Sequence, residues 1–186
     1  MRVGSVIGTA VVFVIALWTN EHLFGHSQFA RGVNWIYLPA GIRLLATLLL
    51  GADGALGLLL ASWLVNCCYF FPHDLLRSFT GGILSAVAPY AVYRLARERY
   101  GLEASLRNLT AKRLLALALA YAFANALLHY LWFALRGGMH HLTLRFFAIL
   151  VGDLSGTLLV LYALKIALAL LGLLGLTARR VRGTPD

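Results

Sequence analysis

Charged side chains along this chain come in short groups, and the stretches between them are long and apolar. Residues 3–18, 35–50, 55–71, 78–93, 114–135 and 142–174 are the principal apolar runs. About 20 mostly apolar residues, as a helix, cross roughly 30 Å of hydrocarbon. The spacing therefore predicts an all-α, polytopic transmembrane bundle of about six spans at residues 1–176, followed by a short basic tail at 177–186. The second span carries Arg43 in its middle, and the fourth is bounded by Arg77 and Arg94. The last run is too long for one perpendicular helix, so it either tilts or opens with a short interfacial helix before Gly152.

Composition supports this reading, with 61% of the 186 residues apolar and 12% charged, against roughly a quarter charged in soluble domains. The net charge of +9 does not point to nucleic acid. Its basic residues sit at the ends of apolar runs, where topology and anionic headgroups account for them. The basic stretch with Arg94, Arg97, Arg99, Arg107, Lys112 and Arg113, against Glu98 and Glu103, and the tail with Arg179, Arg180 and Arg182, both belong inside. Two spans separate them, and counting back puts Arg2 inside as well. Both termini are then cytoplasmic and 20–34, 72–77 and 136–141 lie outside, in a multi-pass protein of the bacterial inner membrane. The N-terminal run has the charge order of a signal peptide but no small-residue cleavage motif before Asn20-Glu21, so it is read as a retained span.

That topology gathers the unusual side chains on one side. His22, His26, His73, His140 and His141 fall in outer loops, and His129 lies in the outer half of the fifth span. Trp18, Trp35, Trp63 and Trp132 lean the same way, with Tyr37, Tyr69, Phe70 and Phe71. Either this is an interfacial aromatic belt or it borders a ligand site.

Three buried polar positions are candidates for chemistry. Arg43 and Asp153 fall near mid-membrane, where one charge costs at least about 2.5–3.5 kcal/mol, so they either pair or line a wet cavity. Asn125, His129, Trp132 and Arg136 recur at three- and four-residue intervals and share one helix face. Asn125 joins Arg43 and Asp153 as polar core. His129, Trp132, Trp35, Trp63 and Asn66 are candidates for ligand binding. Asp153 stands in Gly152-Asp-Leu-Ser-Gly156, whose small-residue spacing lets a neighbouring backbone approach closely. Gly57 with Ala61, and Gly81 with Ser85, repeat the device. A metal could draw on His22, His26, His73, His140 and His141, although no established ligand spacing matches. Haem or copper at His129 is the cofactor alternative to a hydrogen-bonded interior histidine. Cys67 and Cys68, being adjacent, are poor geometry for a structural disulfide and read as small hydrophobes. No motif of soluble-type catalysis is present.

Two stretches resemble a known family. The segment from Trp35 to Leu45, with its Pro39-Ala-Gly-Ile42, continues to Gly51, Gly54 and the apolar 57–64 run closed by Asn66. It is similar to the opening of bacterial membrane-associated sensor domains of the MASE type, and Val151 to Val160 resembles that family's Gly-Asp-x-x-Gly helix. The resemblance covers roughly a quarter of the chain. It implies a helical membrane bundle that supplies input to a kinase or cyclase, yet here only about a dozen residues follow the last span, so no output domain is expected. A fainter similarity is to the S components of energy-coupling-factor importers, in size, span number and glycine-rich helix pairs.

The function expected is an inner-membrane, sensor-like or accessory module for signal transduction. It would bind a small ligand or a partner membrane protein from the outer side. The alternatives are the substrate-binding subunit of a small-molecule or metal transporter, and a haem-, copper- or quinone-associated subunit of a redox complex. Partners expected are the lipid bilayer and a second membrane protein or another copy of this chain.

Overall fold

The fold comes from a computed structural model that describes residues 2–102, 109–136 and 141–181, with side chains to residue 172. His140, Glu103, Arg107 and the tail from 182 onward lie outside the described residues, as do the side chains of Arg179 and Arg180. The chain is all-α except for one small hairpin. Helices α1 (Val3–Phe24), α2 (Leu38–Leu50), α3 (Ala52–Val65), α4 (Leu75–Tyr100), α5 (Ala111–Leu135) and α6 (Leu142–Val181) follow in order. Strands β1 (Gln28–Ala30) and β2 (Val33–Asn34) pair antiparallel between α1 and α2. Their turn is closed by Gly32 at φ +78, a left-handed conformation that glycine adopts without steric cost.

Five helices are long and apolar enough to cross a membrane, and α2 is a shorter apolar helix. At about 1.5 Å per residue, its 13 residues reach about 20 Å. Yet α2 is the centre of the bundle, packing against α1, α3, α4 and α6, and eight of its 13 residues are buried. It is shorter than the 35–50 run because residues 35–37 stay non-helical, Pro39 fitting the first turn where its missing N–H is no loss. Gly51, at φ +57, turns the chain from α2 into α3 with the Tyr93 hydroxyl close against it.

Helix α6 is unbroken from Leu142 to Val181, so the alternative of a separate interfacial helix before Gly152 does not hold. Its apolar stretch has no proline and no glycine-turn signal to end it. From Tyr162 to Gly172 every side chain is exposed, as expected of a surface meeting lipid. Elsewhere exposed Val, Leu, Ile and Phe coat α1, α4 and α5, while the core gathers around Ala40, Leu44, Leu48, Ala88, Val92, Ala118 and Tyr121.

The extended segment leading into α2 is the least usual feature. Non-helical backbone inside a bilayer protein must find partners within the protein, and this one does. The Tyr37 amide donates to the Gly152 carbonyl at 3.0 Å, and the Ser155 hydroxyl donates to the Trp35 carbonyl at 3.0 Å. The Leu38 amide donates to Asn20 Oδ1 at 2.8 Å. Any Cβ at Gly152 would strike the Asn34 carbonyl, and one at Gly156 the Tyr37 carbonyl. The Gly-Asp-Leu-Ser-Gly motif therefore serves close approach, but to extended backbone and not to a second helix.

Candidate functional site

Residues 31–34, 70–71 and the end of α5 meet at one end of the bundle, and from that end a cavity opens inward with about 720 Å³ of empty space, part of it open to the exterior. Aromatic rings of Tyr37, Phe70, Phe71, Trp132 and Phe133 form much of its wall, with Val33 and Ile149. Phe70 belongs to a wide helical turn, Asn66–Phe70, that continues α3. Its loosened backbone directs Asn66 Nδ2 to the Ser78 carbonyl at 3.0 Å while Asn66 still lines the cavity.

The floor is polar. Arg43, Asp153 and Asn125 are 6%, 3% and 2% exposed, and all three line the cavity. Asn125 lies ten residues before the end of α5 and Asp153 eleven after the start of α6, which is about 15 Å of helix. The floor thus lies about half the length of a 30 Å span in from that end. Asn125 Nδ2 donates to Asp153 Oδ2 at 2.5 Å, which fixes its amide orientation and leaves its Oδ1 buried without a partner.

Arg43 and Asp153 make no direct ion pair; among the described residues the one pair within 4.0 Å is Arg94–Glu98, on exposed α4 surface. The guanidinium instead rests between the rings of Phe13 and Tyr37, 5.1 and 5.3 Å from their centroids. Its Nη2 reaches the Tyr37 hydroxyl at 3.5 Å, too long for a strong bond, and its Nε is buried without a partner. The buried Tyr121 hydroxyl lies within reach of the same guanidinium but in no well-formed hydrogen bond. Such groups cost about 1–3 kcal/mol each when unsatisfied. Arg43 and Asn125, which carry two of these atoms, both line the cavity, so its floor holds polar groups that the described residues do not satisfy.

His129 lines the same cavity. Its Nδ1 lies 3.0 Å from the Asn125 backbone carbonyl, which can only accept, so Nδ1 is the donor in this contact.

At the mouth the chemistry changes to arginine. Arg31 and Arg77 line the cavity, and Arg77, Arg136 and Arg145 line an adjoining recess with Asp74, Trp132 and Phe133. Arg77 lies 3.8 Å over the Phe71 ring, Arg145 5.4 Å over Phe133 and Arg136 5.6 Å over Trp132. The Asp74 carboxylate accepts the Arg77 backbone N–H at 2.9 Å, capping α4.

Of the sequence candidates, the structure brings Arg43, Asp153, Asn125, His129, Trp132 and Asn66 together around one cavity, while Trp35 and Trp63 lie off it. Trp35 packs edge-on against Phe29. Trp63 donates to the Phe79 carbonyl at 3.0 Å and sits against Gly82, a structural post between α3 and α4. Of the described histidines read as metal candidates, His22 stacks on Trp18, His26 lies in the short turn after α1, and His73 and His141 are exposed. No three His, Cys, Asp or Glu side chains converge among the described residues. Arg31, Arg77 and Arg145 were missed because each, taken singly, is an ordinary span-end arginine. Compared with protein-family models, curated proteins and solved structures, the chain matches none.

Proposed function

We propose that this chain is a membrane-embedded binding module that takes a small ligand into the cavity from the loop-bearing end. The observation that carries the reading is the buried polar floor: Arg43, Asn125 and Asp153 at mid-membrane depth, with Arg43 Nε and Asn125 Oδ1 unpartnered. Burying such groups in a bilayer protein is expensive, and they are retained where they face a pathway or a ligand. Aromatic walls supply apolar area and a few fixed polar groups supply orientation, the usual composition of a small-molecule site.

The cellular setting is part of the proposal. Six crossings of the bacterial inner membrane, with both termini cytoplasmic, open the cavity to the outer side. Support comes from the basic residues of α4's C-terminal end, of the following loop and of the tail. A sensor-like or accessory role, acting through a partner membrane protein, is what the MASE-type resemblance implies.

Native mass spectrometry of protein released gently from its own membrane tests the reading. A ligand mass retained by the wild type and lost from folded Arg43→Gln or Asn125→Leu is the expected result. Ligand-free wild type, or a mass equally retained by both variants, overturns it.

A further inference from the structure

We infer that the mouth of this cavity is a binding site for a phosphate monoester, with Arg77 and Arg145 as its principal donors and Arg31 beside them. The inference rests on reading the cavity as a ligand site and names the chemistry that site takes.

Three features of the mouth support it. First, positive charge gathers there in excess, four arginines against the single carboxylate of Asp74 among the described residues lining the mouth. Arg31 and Arg145 are both within electrostatic reach of Arg77, Arg136 shares the recess, and none of the four makes an ion pair with a described residue. The nearest acid, Asp74, gives a carboxylate oxygen to the Arg77 amide. Second, the arginines are held ready. Arg77 and Arg145 are flanked by ring faces, and among the described residues no hydrogen bond engages either guanidinium, which leaves their planar forks turned to the recess. Arg31 commits Nη2 to the Tyr69 carbonyl at 2.9 Å and so is fixed at the rim. Third, the mouth leads directly to apolar and aromatic walls and then to the polar floor.

A single carboxylate would neutralise one guanidinium of the group. A phosphate monoester carries about −1.5 to −2 charges and three acceptor oxygens, and guanidinium forks match phosphate oxygens bidentately. Its organic part then lies against Phe71, Trp132 and Phe133. The phosphate comes either from a lipid, such as a phosphatidic acid headgroup, or from a free phosphate compound, and the shared chemistry is the same.

Trp132 lines the site, so its fluorescence reports occupancy, with Trp132→Phe identifying its share of the signal. Four probes are titrated into protein held in an uncharged detergent: dihexanoyl phosphatidic acid, inorganic phosphate, dihexanoyl phosphatidylglycerol and dihexanoylglycerol. Phosphatidic acid is expected to bind at least about tenfold more tightly than the diester or the neutral lipid. Arg77→Gln with Arg145→Gln is expected to weaken it by about tenfold or more, since charge-assisted bonds are lost. Inorganic phosphate competing at equal concentration assigns the site to free phosphate; failure to compete assigns it to the lipid. Equal binding of phosphatidylglycerol reduces the cluster to ordinary interfacial attraction and overturns the inference. Equal binding of dihexanoylglycerol, or no binding by any probe to folded wild type, also overturns it; the cavity reading itself falls only if the native mass spectra show no retained ligand, or one retained equally by Arg43→Gln and Asn125→Leu. The comparison among probes uses the wild type alone, so it stands even where the double variant does not fold.

Discussion

Gly156→Ala isolates the contact on which the site's geometry depends. A Cβ there falls on the Tyr37 carbonyl and 2.8 Å from the Leu38 nitrogen. Both are backbone atoms, so no flexible side chain can give way, and residues 34–38 must retreat from α6 by well over an ångström. Forcing a methyl into a packed interior costs about 1–3 kcal/mol. The retreat also strains the bonds from Tyr37 N–H to Gly152, from Ser155 to Trp35 and from Leu38 N–H to Asn20, each worth about 0.6–1.7 kcal/mol in a membrane bundle. Against this stands about 1 kcal/mol of helix propensity gained by alanine over glycine. The net expectation is destabilisation by about 2–4 kcal/mol. Gly172→Ala on the same helix is the control, because a Cβ there meets nothing within 4 Å. Reversible unfolding in mixed micelles measures both. If Gly156→Ala proves as stable as Gly172→Ala, the extended segment does not lie on α6 as described.

Three further outcomes follow from the same geometry. Asn20→Leu deprives the Leu38 amide of its acceptor and should destabilise by about 1–3 kcal/mol in the same unfolding assay; an unchanged midpoint would refute the bond. Because Arg43 and Asp153 lack a contact within 4.0 Å, a double-mutant cycle of Arg43→Met and Asp153→Leu should give a coupling energy below about 3 kcal/mol, less than the loss typical of breaking a direct buried pair. A larger coupling would place the two in contact. With Cys67 replaced by alanine, Cys68, exposed beside the loop-bearing end, should react with a membrane-impermeant maleimide in intact cells; labelling only after the cells are opened would reverse the proposed orientation.

Much of the bundle is legible from hydropathy because the bilayer imposes span length on sequence. Runs 78–93 and 114–135 fall inside α4 and α5, which extend beyond them into polar turns that lipid does not constrain. Run 35–50 is less legible: apolarity says that Trp35, Ile36 and Tyr37 are buried but not whether they are helical. Their non-helical conformation depends on Asn20, Gly152 and Ser155, partners far apart in sequence. The Gly152–Gly156 spacing signals a close neighbour without saying what the neighbour is. Arg43 and Asp153 stand out in sequence because charge in mid-span is rare, and Asn125 and His129 because they share a helix face. Arg31, Arg77 and Arg145 sit at span ends, where arginine is common, and only their convergence at one mouth gives them meaning. Trp35 and Trp63 satisfy the same aromatic bias as Trp132, yet packing with Phe29 and Gly82 turns them away from the cavity.

The most direct test of the cavity is its accessibility. Ser85 lies buried on the cavity wall, and Ile83, two residues before it on α4, is 43% exposed on the outer surface of the bundle. Each is replaced by cysteine in a background with Cys67 and Cys68 changed to alanine, and reaction with a charged thiosulfonate is followed from each side of sealed vesicles. A water-filled, ligand-accepting cavity requires Ser85→Cys to react from the loop-bearing side and Ile83→Cys, facing hydrocarbon, to stay unreactive. Silence at both positions, or equal reaction at both, would contradict it.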